Sequence, residues 1–246
     1  YRWSLLVKLL EKELEKGTNI LCFQEVSWEW RNRLVSFFRT HSYDFTYDNY
    51  GHKYNDYMGV MMAWDNKCFS ASESSVVVGD HLTERTDIVK PVMGYREWFL
   101  NKLCCRPRAN RFTEYDSTIK SFKDAKRRKN VLQCVELKDA NDKTVNVMNY
   151  HMPCAFYDLE QMRLHIEFIV KHVNKYSKSN PVILTGDFNT KPYDSTYYGF
   201  SSLKNAYVDI HGKHPTSTTN AKTLRGDKVS EFIGTLDHCF YTDGLI

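Results

Sequence analysis

The chain has 246 residues, 42% of them apolar and 26% charged, with a formal net charge of +4. That length and balance suit one large α/β domain able to bury a core without staples, and exclude a disordered or collagen-like chain. No run of about 18 apolar residues exists, so no membrane-spanning helix is expected.

Seven cysteines, an odd number, include Cys22 and Cys134 inside apolar runs and the adjacent pair Cys104 and Cys105. None has zinc-ligand spacing, and the pattern points to reduced thiols in an intracellular compartment, cytoplasmic or nuclear. The opening Tyr1-Arg2-Trp3 lacks a signal-peptide plan and an initiator methionine, so the sequence reads as an excised fragment.

Taken in order, Trp3, Leu6, Val7, Leu10 and Leu14 carry helical spacing, with Ser4 as a cap and Gly17 as a stop. Ile20 to Phe23 reads as a buried strand ending in Gln24-Glu25-Val26, and Trp28 to Phe38 as a second helix. Tyr43 to Tyr47, Met58 to Trp64 and Val76 to Val78 read as strands, with a polar loop from Asp48 to Asp56. From Gly79 to Asn130 the pattern is weak, apart from a short apolar turn at Trp98 to Leu103, and suggests an insertion or mobile segment. Within it, residues 101–130 hold ten Lys/Arg against three acids. That favours a polyanionic partner, against the alternative of a solvated loop.

Val131 to Leu137 and Thr144 to Asn149 are predicted as neighbouring strands joined by a turn at 139–142. Asp158 is expected to cap a helix running to about Tyr176. Val182 to Thr185 forms a further buried strand, followed by Gly186, Asp187 and Asn189. Pro192 to Asp209 is mixed, Pro215 to Phe232 polar and loop-like, and Ile233 to Tyr241 a last strand.

Polar residues cluster at strand ends: Glu25, Asn149 and His151, Asp187 and Asn189, with Asp237 inside an apolar run. Each has an ordinary reading. Glu25 could complement a helix dipole, His151 could be a surface histidine, Asp187 and Asn189 could be turn residues, and Asp237 could pair with a lysine. Together they suit phosphoester hydrolysis. Carboxylates are hard ligands for Mg²⁺, an Asp can activate water, and Asn and His can donate to phosphoryl oxygens. No Gly-rich phosphate loop or G-x-S-x-G is present, which disfavours nucleotide-driven or covalent acyl chemistry.

Four stretches carry a resemblance: 20–26 around Glu25, Met148 to His151, Leu184 to Asn189 with Pro192, and Gly234 to Tyr241. In order and spacing the chain resembles the endonuclease/exonuclease/phosphatase superfamily over essentially its whole length. It is most similar to the branch of poly(A) deadenylases, nocturnin-like and 2′,5′-phosphodiesterase-like proteins. The Trp-Cys-Asp-Arg element of inositol polyphosphate 5-phosphatases is absent.

The resemblance implies a single α/β catalytic domain over 1–246, a four-layered sandwich of two mixed β-sheets flanked by helices. It implies Glu25 as ligand of Mg²⁺ (Mn²⁺ as an alternative) and His151 as a phosphate contact. Asp187 would be the water-activating acid with Asn189 beside it, and Asp237 the acid that orients a catalytic histidine. Asn149 and Arg128 are candidate substrate contacts. The family's first-strand Asn and its downstream Ser-Asp-His are expected to lie outside the 246 residues. His238, the strand neighbour of Asp237, is expected to point away from the site. The implied activity is Mg²⁺-dependent hydrolysis of RNA, as a 3′-exoribonuclease of the deadenylase type. A phosphatase for a small phosphoester (a dinucleotide, phosphoinositide or lipid headgroup) and an inactive scaffold are the alternatives.

Overall fold

A computed structural model describes residues 1–17, 20–83, 110–225 and 228–245, with side chains undescribed at 110–114 and 223–229. Helix α1 (Arg2–Glu15) turns its apolar stripe of Trp3, Leu6, Val7, Leu10 and Leu14 onto helix α2 (Trp28–Thr40), where Leu34, Phe37 and Phe38 are buried. Burying one such Phe contributes roughly 1.5–3 kcal/mol, so this small layer is held mainly by its aromatic residues. Gly17 ends α1 in the left-handed region (φ 79), and its N–H donates to the Leu14 carbonyl. The helix begins at Arg2 with Tyr1 at the cap position, so Ser4 does not cap it. Ser27 caps α2, accepting from the Trp30 N–H.

Three antiparallel strands lie under these helices in the order β1 (Ile20–Val26), β3 (Gly59–Asp65), β2 (Tyr43–Asn49). The second sheet has six strands, in the order β4 (Phe69–Val77), β5 (Val131–Asp139), β6 (Thr144–His151), β7 (Val182–Asp187), β11 (Asp237–Tyr241), β8 (Lys204–Asn205). Only its β6–β7 pair is parallel, so the mixed character belongs to this larger sheet. The crossover between them is helix α5 (Leu159–Tyr176), which packs on the outer face with α3 (Val78–His81) and α4 (Asn110–Arg127).

Strand alternation then sorts side chains into layers. Met148 and Tyr150 of β6, Leu184 of β7 and Phe240 of β11 face the helices, whereas Val145 and Val147 join Met62 and Trp64 between the sheets. Helices, small sheet, large sheet and helices make four layers.

Several elements differ from the sequence expectation. Strand β4 is nine residues long, because its edge position leaves Ser and Glu side chains in solvent and hides the apolar signal. Helix α4 occupies part of the stretch that carries little pattern; Phe122 and Ala125 are its buried apolar residues among the described side chains. The polar stretch after Pro215 is a hairpin, β9 (Thr219–Arg225) with β10 (Lys228–Gly234). The last strand accordingly splits, Ile233 going to β10 and β11 starting at Asp237. The mixed segment before it holds a 3₁₀ turn (Tyr197–Phe200) and helix α6 (Ala206–His211). Asp158 stands at the N-terminus of α5 without capping it; its carboxylate accepts from the Gln161 side chain instead. The apolar turn at Trp98 to Leu103 and the Cys104–Cys105 pair lie outside the described residues.

Candidate active site

The inter-sheet rows of β1, β6, β7 and β11 reach one end of the sandwich at Glu25, His151, Asp187 and Asp237. Register places His151 beside Asp187 across the parallel pair, and Asp237 opposite Asp187 across the antiparallel one. His151 Nε2 lies 3.9 Å from Glu25 Oε1 and 3.8 Å from Asp187 Oδ2. Sequence positions far apart therefore converge on one ring nitrogen.

Local backbone explains each placement. Glu25 has φ 55, within the irregularity between Phe23 and Val26 in the β1–β3 ladder, and its side chain is 67% exposed. A bulge that re-aims one side chain out of the pleat is the expected device for presenting a carboxylate. At the end of β7, a Cβ on Gly186 would sit 1.8 Å from the Tyr150 carbonyl oxygen, so only glycine lets β7 run this close to β6. Asn189 adopts φ 48, a left-handed conformation that Asn tolerates.

Asn189 also fixes its neighbours. Its backbone N–H donates to Asp187 Oδ1 at 2.8 Å, and its side-chain amide donates to the Met152 carbonyl at 2.8 Å. Asp187 Oδ2 is left facing His151. Burial pushes the Asp187 carboxyl above its usual range; the Asn189 N–H and His151 oppose this, and Asp237 and Glu25 add to it. A carboxylate so placed is a stronger base than a solvated one. Asp237 is itself anchored by the hairpin side: Thr219 Oγ1 donates to its Oδ2 at 3.1 Å, and its N–H donates to Thr218 Oγ1.

Two further sequence candidates, Asn149 and Arg128, do not reach that ring nitrogen. Asn149 shares the face of His151 but lies one step deeper, fully buried between the sheets. Its amide donates to the Phe23 and Met61 carbonyls and to Gln133, and its carbonyl accepts from Gln24 at 2.7 Å. With Gln133 bonded on to Asp48, Asn149 belongs to a buried polar seam joining the sheets under the site. Arg128 is half-buried and donates to the Tyr157 hydroxyl at 2.6 Å. The basic run it belongs to is dispersed: Arg127 pairs with Asp124, Lys129 with Asp80, and Lys126 lies over the Phe122 ring.

His238 is buried on the helix side of β11, beside Phe188, Tyr197 and Phe240, with Nε2 on the Thr190 carbonyl at 2.9 Å. Burial holds its ring below the ordinary histidine range. Cys154, three residues past His151, has its thiol pushed up by burial and then by the Asp187 charge, which disfavours a thiolate nucleophile here.

The sequence offers Tyr50, with Tyr47 and Tyr54, as an exposed aromatic for stacking on a single strand; the structure instead half-buries it, with its hydroxyl 2.5 Å from His151 Nδ1. Its partner lies 101 residues away, and no local pattern marks the pairing.

Residues 2–246 match the Endonuclease/Exonuclease/phosphatase family. The chain belongs to that family. Its members are phosphoester hydrolases, nucleases and phosphatases, and in general depend on a divalent metal. Compared by sequence with curated proteins, the chain matches none. Solved structures with the same fold include the human nocturnin catalytic domain with bound sulfate (15% identity, 99% of this chain and 76% of that one, TM-score 0.63). D. rerio TDP2 complexed with a single-strand DNA product aligns at 11% identity over 95% of this chain and 74% of that one, TM-score 0.62. ANGEL2, a 2′,3′-cyclic phosphatase in complex with adenosine-2′,3′-vanadate, aligns at 15% identity over 95% and 73%, TM-score 0.60. At these identities the likeness establishes the fold.

The donor set fits such a metal. Glu25 and Asp187 are hard oxygen donors, the kind a hard divalent cation takes. No group of three or more His, Cys, Asp and Glu that could hold a metal ion is found among the described residues. No helix among the described residues is long and apolar enough to cross a membrane.

Proposed function

We propose that this family member is a Mg²⁺-dependent phosphodiesterase that hydrolyses RNA from its 3′ end, as the deadenylase-type enzymes it resembles do. The observation that carries the reading is the convergence of Glu25 and Asp187 on His151 Nε2, at 3.9 and 3.8 Å. Glu25 would hold Mg²⁺, which, when bound, polarises the phosphoryl group and offsets charge on the leaving oxygen. Asp187 orients a water through Oδ2 and accepts its proton as it attacks phosphorus, while Oδ1 stays held by the Asn189 N–H. The other hydrogen of the Asn189 amide and the His151 ring donate to phosphoryl oxygens that gain charge in the transition state. Asp237, directly across the ladder, keeps negative charge beside Asp187 and sustains its basicity.

A single-stranded substrate is favoured by what the site loops expose. Tyr54, Tyr157 and Tyr193 are 83%, 77% and 80% exposed, on the loops that follow Tyr50, His151 and Asn189. Lys53 lies over the Tyr54 ring and Arg128 bonds Tyr157, so aromatic faces and positive charge occur together, as a stacking platform for bases needs. The single-strand DNA product of TDP2 and the adenosine ligand of ANGEL2 point the same way.

The test is release of product from end-labelled poly(A) RNA, single-stranded DNA and small phosphoesters, each with Mg²⁺ and with chelator. Mg²⁺-dependent shortening of poly(A) by single nucleotides is expected. Release from small phosphoesters alone would replace RNA with a small-molecule substrate, and no metal-dependent release from any of them would make the chain a scaffold.

A further inference from the structure

We propose that Tyr50 is a positioning residue that fixes the tautomer of His151, holding Nδ1 as acceptor so that Nε2 carries the hydrogen aimed into the site. The proposal rests on the reading of His151 as a phosphoryl donor.

Two sides of the ring agree on it. At Nδ1 the partner is the Tyr50 hydroxyl at 2.5 Å. A phenol is protonated at neutral pH, so Tyr50 has a hydrogen to donate. At Nε2 the ring faces two carboxylate oxygens. A lone pair there would point at two anions, whereas an N–H is attracted to both. The Nε2–H tautomer satisfies both sides, whereas in the other the Tyr50 hydroxyl could accept from Nδ1 but Nε2 would turn a lone pair at two carboxylates. A histidine's working nitrogen is set by the bond its other nitrogen makes.

The framework around the pair is fixed. Tyr50 and Gly51 both donate backbone N–H groups to the Met58 carbonyl. The loop between them is closed by a reciprocal cap of His52 with Asn55, and by left-handed Asp56 and Tyr57. The Tyr50 ring meets the His151 ring edge-on, 74° between planes and 5.8 Å between centroids. On the far side Asn130 holds the His151 carbonyl at 2.8 Å. The hydroxyl thus acts from a rigid loop of the small sheet on a strand end of the large one. Both Nε2 contacts exceed hydrogen-bond length, so neither carboxylate engages the N–H and an incoming phosphoryl oxygen can.

Tyr50→Phe keeps the ring and deletes the bond. The test combines kinetics of Tyr50→Phe, His151→Ala and the double variant with ¹⁵N NMR of the His151 ring, which distinguishes tautomers without substrate. We expect the Nε2–H form in the unaltered protein and a mixture with Nδ1–H in Tyr50→Phe. We also expect a fall in kcat of about tenfold or more with KM nearly unchanged, as when the partner of an oriented histidine is removed. In the His151→Ala background, Tyr50→Phe should add nothing. An Nδ1–H tautomer in the unaltered protein, an unchanged tautomer in Tyr50→Phe, or an equal loss in the His151→Ala background would overturn the proposal. If no phosphoester is hydrolysed at all, the function reading fails while the NMR comparison still decides the tautomer.

Discussion

The side-chain amide of Asn189 donates to the Met152 carbonyl at 2.8 Å, and both residues are buried. The Met152 N–H in turn donates to the Asp187 carbonyl at 2.8 Å, so the chain leaving β6 and the chain leaving β7 are tied together directly behind the Asp187 carboxylate. Asn189→Ala leaves a buried carbonyl without its donor, which costs about 1–3 kcal/mol. Asn189→Asp retains a residue suited to the left-handed backbone but sets oxygen against oxygen. Both are expected to lower the urea midpoint and kcat together; Asn189→Ala with unchanged stability would show that the tie is not structural.

Glu25 is the exposed acid of the site, and its removal should change metal binding more than folding. Mg²⁺ that binds only the native state raises Tm in proportion to its affinity. Glu25→Gln is expected to weaken Mg²⁺ by at least about tenfold in calorimetry and to abolish most of the Mg²⁺-induced Tm rise. A full Tm rise in Glu25→Gln would remove Glu25 from the ligand set.

What the sequence discloses here follows from where side chains stand. Apolar runs ended by a turn signal, such as Val182 to Gly186, are legible because one face is buried and the other covered enough to keep apolar residues at Val182, Ile183 and Leu184. Strand β4 and the β9–β10 hairpin are not, since an edge strand and a two-stranded ribbon bury too little to imprint one. Glu25, His151 and Asp187 are legible as polar groups where apolar strands stop, and Asp237 as an acid inside an apolar run. Asn149 is the instructive case. Alternation puts it on the face of His151, but periodicity carries no information about depth, and one step further in the same face is the sealed inter-sheet seam. Tyr50 and Asn130 act across the fold on a partner distant in sequence, which no local pattern records.

His165 lies on α5 behind the site and is fully buried, with Nε2 on the Ala125 carbonyl and Nδ1 on the Tyr150 hydroxyl. The carbonyl can only accept, so Nε2 holds the hydrogen and Tyr150 donates. Burial lowers this histidine from 6.5 to about 4. Because the folded value is depressed, its stabilising contribution is complete above 6.5 and is lost as pH falls toward about 4. The loss is on the order of 3 kcal/mol. The stability difference between the unaltered protein and His165→Gln, measured by urea unfolding, should shrink across that window. A difference independent of pH would contradict a neutral buried His165.

The central claim is that chemistry is carried by the side chains between the sheets at Asp187, not by His238, which beside Asp237 imitates a catalytic pair. The direct measurement is Mg²⁺-dependent turnover of Asp187→Asn and His238→Leu, side by side. Asn at 187 can still accept from the Asn189 N–H, and Leu at 238 still fills space beside Phe188 and Phe240. Asp187→Asn is expected to lower kcat by about a hundredfold or more, and His238→Leu to leave it near that of the unaltered protein. A loss in folded His238→Leu as large as that in Asp187→Asn would contradict the account.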